Sequence, residues 1–310
     1  MADLLSLSSR IIDSGVADEP VNRVTNELSE VADGLAVVES FSHSVVFDAG
    51  DGLVAFDASH ARHAPAVVSA IRGWTDTPVS HLVYTHGHVD HVGGGATFAD
   101  AYRGIDVVGH RHVARRFERY RATNDWNLLI NARQFGGVRG DFGMGGEQHA
   151  FLPEGTPAPD HVVDDFDTLT VGDTTIELHH ARGETDDHLW GWVPDRRWLF
   201  SGDFVIWNFP NAGNPQKVQR WPIEWAAALR EMIARGPELL LPAHGLPIEG
   251  RERIATVLGD IAGALERLVA DVLAMMNAGE VLDTIVHSVH VPDDELAKPY
   301  LRPLYDEPEF

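Results

Sequence analysis

Thr85-His86-Gly87-His88-Val89-Asp90-His91-Val92-Gly93-Gly94 is the stretch on which the reading of this chain turns. It follows an apolar run, His81-Leu82-Val83-Tyr84, that reads as a buried strand, so the polar cluster falls on a strand-end loop. Four donors, His86, His88, Asp90 and His91, lie within six residues. Imidazole nitrogen and carboxylate oxygen at this density suit zinc or a similar divalent ion. The i, i+2 spacing lets His86 and His88 reach one ion, while Asp90 and His91 can turn to a second. Gly93 and Gly94 leave the backbone free to fold back under the cluster. A histidine-rich loop without metal is the plain alternative. It is disfavoured because further donors arrive later in the chain in a compatible order.

Composition narrows the function classes. The 310 residues can bury one large core plus an accessory segment. A net charge of −23, from 24 basic and 47 acidic residues, argues against nucleic acid or an anionic membrane as partner. With no cysteine there is no disulfide framework, thiolate metal site or cysteine nucleophile. The first fifteen residues lack a basic start followed by an apolar core, and no uninterrupted apolar run is long enough to span a bilayer. The expectation is a cytoplasmic enzyme.

Periodicity places the donors. Leu35–Glu39, Ser44–Phe47 and Leu53–Phe56 read as a strand meander, turned at Asp48-Ala49-Gly50-Asp51-Gly52. Residues 65–74 have helical spacing, 105–109 form a strand, and 112–134 a long helix or two. Residues 136–159, rich in glycine and proline, read as a long loop of the kind that covers a site. Strands resume at 169–171, 175–179, 189–193 and 198–200. A helix over 223–235 and a strand over 238–241 then lead to His244. Ile254, Ile261, Leu265, Leu268, Val272 and Met275 give the helix over 251–278 a broad apolar stripe that must be covered by core, by a second subunit, or by both.

His-x-His-x-Asp-His followed by Gly-Gly resembles the metallo-β-lactamase superfamily. The resemblance runs from about residue 30 to 250. It implies an α/β fold, an αββα two-sheet sandwich, here with a C-terminal helical extension. The domain expectation is an N-terminal extension over 1–29, a catalytic domain over 30–250 and a helical accessory or dimerisation segment over 251–310. The resemblance also implies roles. Asp57 braces the metal loop without ligating. His86, His88 and Glu184 hold one divalent ion, and Asp90, His91 and His244 the other, with Asp203 between them. His180 and His188 are the substitutes should Glu184 not ligate. Zinc is the expected metal, with iron or manganese as alternatives. Two such ions lower the pKa of a shared water toward neutrality, and Asp90 helps orient it.

Glutamate at the third motif, where most members place histidine, is similar to the alkyl sulfatase branch. The gap from Glu184 to Asp203, 203 − 184 = 19 residues, fits that branch. Asn127, Asn131 and Arg133, with Asn211 and Arg220, resemble the polar elements that hold the sulfate, whose oxygens suit amide and guanidinium donors. Arg220 has a second reading, as a cap on the helix starting near Pro222 or a partner of Glu224. Trp126, Phe135, Trp207, Phe209 and Trp221 offer an apolar lining, or simply packing. Asp203 departs from the branch, which carries glutamate at the bridging position. The expected function is hydrolysis of an anionic small molecule with an apolar tail, an alkyl sulfate ester, by a homodimer. The alternatives are hydrolysis of a lactone, thioester or phosphodiester, or an iron-dependent oxidoreductase.

Overall fold

A computed structural model of the protein describes residues 3–134, 150–213 and 217–304. Its strands belong to two mixed sheets with helices beside them, an α/β architecture. The chain divides into two compact units. The first takes in Met1–Leu4, Asn22–His180 and Asp187–Arg196; the second takes in Leu5–Val21, Ala181–Asp186 and Arg197–Phe310.

The first helix, α1 (Leu4–Ser14), falls to the second unit from Leu5 onward. The first unit opens with an antiparallel meander: β1 (Leu28–Ala32), β2 (Leu35–Val38), β3 (Ser44–Asp48) and β4 (Leu53–Phe56). After α2 (Ala64–Trp74) the sheet becomes parallel, adding β5 (Val79–Val83), then β6 (Asp106–His110) beyond α3 (Val89–Val92) and α4 (Gly95–Ala101). The expected helical region from 112 resolves into two helices, α5 (His112–Ala122) and α6 (Asn124–Gln134), and β7 (His161–Val163) completes seven strands in sequence order. β8 (Phe166–Val171), β9 (Thr174–His180) and β10 (Leu189–Val193) pair antiparallel within the same unit. Every residue of β2 and β4 is buried, so these strands read as continuous apolar runs rather than alternation. Their core is built with Val67 and Ile71 of α2 and Phe98 of α4.

The second unit holds β11 (Trp198–Gly202) parallel to β12 (Leu239–Pro242), with β13 (Ile248–Glu249) antiparallel beyond it. α7 (Pro222–Arg235) starts with proline, whose missing N–H costs nothing at a helix start, and stops at Gly236 in the left-handed region. α7 packs on α8 (Arg251–Asn277), and the short helices α9 (Leu282–Ser288) and α10 (Asp293–Leu296) follow. The apolar stripe of α8 divides. Ile254, Ile261 and Leu265 are buried, whereas Leu268, Val272 and Met275 are only partly covered, and Leu273 and Met276 are exposed. Arg253 forks onto Asp13 of α1, at 2.9 and 2.8 Å, tying the two helices together. Residues 135–149, most of the expected loop and Phe135 with it, lie outside the described residues. No described helix is long and apolar enough to cross a membrane.

Candidate metal centre

The first unit gathers its donors at the end of β5. His86, His88 and His91 converge: ring centroids lie 4.5 Å apart for His86–His88, 4.0 Å for His86–His91 and 6.5 Å for His88–His91. Asp90 joins them, its Oδ2 3.5 Å from His91 Nε2. One turn of helix, α3, presents Asp90 and His91 side by side. Gly93 and Gly94 make the turn behind it, for a reason of space rather than dihedral angle. Both have ordinary helical φ at this helix end, but a Cβ on Gly94 would stand 2.1 Å from the Ala58 carbonyl oxygen. Backbone contacts fill that space instead, Gly94 N–H donating to Ser59 O at 2.9 Å.

Asp57 ties the start of this loop to His91. Its Oδ1 accepts from Thr85 N–H at 2.8 Å, and its Oδ2 accepts from Thr85 Oγ1 at 2.7 Å and pairs with His91 Nδ1 at 2.8 Å. An acceptor on Nδ1 fixes the ring so that Nε2 carries the lone pair a metal needs. Asp57 and Ser59 both sit at positive φ, 62° and 60°, so strain is concentrated under the cluster. Ser42 adds a contact from β3's leading turn, Oγ to His91 Nδ1 at 3.1 Å.

A second brace was not foreseen. Asp187 Oδ2 accepts from the Gly87 amide at 3.0 Å and from Arg116 Nε at 2.8 Å, with both side chains buried. It thus clamps the backbone between His86 and His88. In the sequence Asp187 sits in a run of charges that looks solvated, and Arg116 lies 71 residues away. His188 is beside the cluster, its ring 4.5 Å from that of His86; His180 instead stacks on His110 at 3.9 Å. Burial, then the neighbouring imidazoles, push the pKa of His86 well below 6.5. Neutral imidazole at this position is the form that ligates.

The second unit presents its donors from separate strand ends. Asp203 follows β11 and His244 follows β12, with Asp203 Oδ1 3.6 Å from His244 Nε2. Neighbouring β11 and β12 are parallel, so both deliver their residues at the same sheet edge. Gly245 is fixed by its neighbour: φ is +86°, and a Cβ would lie 2.2 Å from Trp207 Cδ1, while Trp207 Nε1–H donates to Leu246 O at 2.8 Å. Among the described residues, those suited to holding a metal ion are His86, His88, Asp90 and His91 in the first unit, and Asp203 and His244 in the second. This mixed nitrogen and carboxylate set, without sulfur, fits zinc or another divalent first-row ion.

Glu184 is placed differently from those six. Its Oε1 accepts from Arg220 Nη2 at 3.1 Å and from Asn211 Nδ2 at 3.0 Å. Arg220 therefore does not pair with Glu224, which instead meets Arg182 at 2.6 Å. On α6 the amide of Asn127 donates to the Thr123 carbonyl at 2.9 Å and its hydroxyl at 2.7 Å, and Asn131 donates to Asn127 O at 2.8 Å. Arg133 is exposed. Of the aromatic candidates, Trp207 and Phe209 are buried and Trp126 is half exposed.

Comparison with known proteins adds lineage to this geometry. A linear primary-alkylsulfatase of Pseudomonas sp. (strain ATCC 19151) is 25% identical over 277 residues, covering 84% of this chain and 52% of that protein. The structure of the stereoselective inverting sec-alkylsulfatase Pisa1 from Pseudomonas sp. superposes with a TM-score of 0.77 at 21% identity, covering 92% of this chain and 48% of that one. A metallo-beta-lactamase from Pontibacter korlensis gives 0.53 at 16% identity, covering 76% and 98%. The chain thus spans about half the length of the alkylsulfatases it matches. The sequence profile of the metallo-beta-lactamase superfamily matches residues 37–244, from β2 through the last histidine of the site, and the chain belongs to that superfamily.

Proposed function

We propose that the protein is a hydrolase dependent on two divalent metal ions and acting on alkyl sulfate esters. In this reading His86, His88 and Glu184 hold one ion, Asp90, His91 and His244 the other, and Asp203 lies between them. When bound, such ions supply Lewis acidity and a water of lowered pKa. The chain's own residues do the rest. Asp57 and Asp187 keep the His86–His91 loop in one conformation, so that little reorganisation accompanies the reaction. Asp90, next to His91, is the residue that orients the attacking water. Arg133, exposed on α6 beside Asn131, is the proposed contact for the sulfate; both amide hydrogens of Asn127 are already engaged by Thr123, which leaves it a helix-stabilising part.

The observation that carries the reading is the His86–His88–Asp90–His91 cluster braced by Asp57, joined to the likeness with two alkylsulfatases. Zinc is the proposed metal, the cytoplasm the proposed compartment, and a homodimer the proposed assembly, the last supported by the exposed Leu273 and Met276 on α8. The test is metal analysis of purified protein, followed by assay of the metal-replete enzyme on dodecyl sulfate beside lactone, thioester and phosphodiester panels. Release of sulfate with a preference for longer alkyl chains is expected. Turnover confined to a lactone, thioester or phosphodiester would move the substrate to another branch of the superfamily, to which Asp203 in place of glutamate would then belong.

A further inference from the structure

Arg220 is one of the most deeply placed cations of the second unit. Its side chain is 3% exposed, and all three guanidinium nitrogens donate within the protein. Nη2 donates to Glu184 Oε1 at 3.1 Å, Nε to Asn211 O at 3.2 Å, and Nη1 to Val218 O at 3.1 Å. Asn211 closes the ring by donating from Nδ2 to the same Glu184 oxygen. The backbone on both sides is anchored as well. Trp221 N–H donates to Gly183 O at 3.0 Å, and a Cβ on Gly183 would stand 2.8 Å from Phe204 Cε1. A guanidinium used in this way is not presented to a ligand. A planar fork meets one carboxylate and two carbonyls together, which a lysine ammonium on a flexible stem does not reproduce.

We propose that Arg220, with Asn211, is a positioning residue for Glu184 rather than a contact for the anionic substrate. The pair holds Oε1 and with it the orientation of the whole carboxylate. It also sets a positive charge beside a carboxylate that would otherwise add one more negative charge to an acid-rich site. The inference rests on the reading of Glu184 as a ligand. Two predictions separate the roles. A substrate contact, when removed, raises KM for anionic substrates and leaves metal content alone. A positioning residue, when removed, weakens one ion, lowers kcat at limiting metal and affects charged and uncharged substrates alike.

The experiment compares Arg220→Met, Arg220→Lys, Glu184→Ala and the Glu184→Ala/Arg220→Met double variant with the unaltered protein. Each is titrated with zinc against a competing chelator, and bound metal is counted by mass spectrometry. Circular dichroism checks the fold. Arg220→Met is expected to bind one of two ions roughly 10–100-fold more weakly, the usual effect of losing a group that holds a ligand. Arg220→Lys, which keeps the charge and guards against a misfolded Arg220→Met, is expected to recover only part of that loss. In the double variant, loss of Arg220 is expected to add little to loss of Glu184. Unchanged affinity for both ions in folded Arg220→Met or Arg220→Lys, with a raised KM for alkyl sulfate, overturns the proposal in favour of a substrate clamp. Unchanged affinity in Glu184→Ala overturns the ligand reading itself, and the inference falls with it.

Discussion

The two units supply the proposed metal donors in opposite ways. In the first, His86, His88, Asp90 and His91 sit within six residues, and carboxylates from elsewhere, Asp57 and Asp187, hold that loop by accepting from its backbone and side chains. In the second, Glu184 and His244, with Asp203 between them in sequence, lie 244 − 184 = 60 positions apart. Each arrives from its own strand end or turn, and the brace, Arg220, is a cation that holds a carboxylate. A dense loop needs acceptors to pin its N–H groups, while dispersed carboxylates need donors. The fragile part of the first unit is therefore the loop's conformation, and of the second the orientation of single side chains.

Removing Asp57 should give the largest effect. Asp57→Ala strips acceptors from Thr85 N–H, Thr85 Oγ1 and His91 Nδ1 in a buried site, each worth ~1–3 kcal/mol when left unsatisfied, and puts alanine at a positive φ. We expect a loss of about 3–6 kcal/mol in urea unfolding and a collapse of bound metal. A variant with wild-type stability would mean the loop holds itself, and the comparison would fail.

Asp187→Ala should follow closely. It leaves Arg116, with a 4% exposed side chain, as a buried charge without its carboxylate, at a cost of about 3–5 kcal/mol. Replacing both, as Arg116→Met with Asp187→Leu, should restore much of the stability but not the metal affinity, because the Gly87 amide remains without its acceptor. Equal metal binding in wild type and double variant would reduce Asp187 to a packing role.

How much of this was legible in the sequence follows from range. The strands β2 to β5, helix α2 and the His86–His91 loop all show in local pattern, since apolar runs end at turn residues and the donors are consecutive. β1 does not show, because Leu-Ser-Glu-Val-Ala has neither a continuous apolar run nor a clean alternation, and its burial is correspondingly mixed. The short β7, β13, α9 and α10 lack enough residues to establish a period. The resemblance names Asp57 as a brace, but Asp187 and Arg220 are hidden for another reason. Arg116–Asp187 and Arg220–Glu184 are pairings across 71 and 36 residues, and charge spacing along the chain carries no record of them. Arg220 reads as a sulfate contact, or else as a helix cap or a partner of the nearby Glu224, and neither reading names Glu184; the fold spends Glu224 on Arg182.

Acid should act on the first unit through His110. Burial, then the stacked His180 and neighbouring His112, push its pKa from 6.5 down to about 3. As pH falls through 6.5 the unfolded chain takes up a proton that the folded one refuses until about pH 3. The stability that His110 contributes is therefore fully present above pH 6.5 and is lost between 6.5 and 3, at about 1.4 kcal/mol per pH unit. His110→Phe keeps a ring to stack on His180 and should flatten that acid slope by up to one proton, measured by urea unfolding from pH 7 to 4. An unchanged slope would place the acid sensitivity elsewhere.

The smallest effect should come from Arg182, two residues from Glu184. Arg182 meets Glu224 at 2.6 Å and lies over the Trp221 ring, 5.4 Å from its centroid. Both partners of the ion pair are nearly half exposed, at 48% and 42%. In water the Coulomb gain of such a pair is largely offset by side-chain entropy and screening, so Arg182→Ala should cost under about 1 kcal/mol, and less in high salt. Its value lies in the contrast with Arg220. The two arginines flank the same turn, but only Arg220 touches Glu184. If orientation of that single carboxylate is what the second unit depends on, Arg182→Ala must leave zinc affinity at the wild-type value in the chelator titration. A loss of affinity like that of Arg220→Met would show that the whole turn, not one side chain, needs support, and the second unit would then resemble the first.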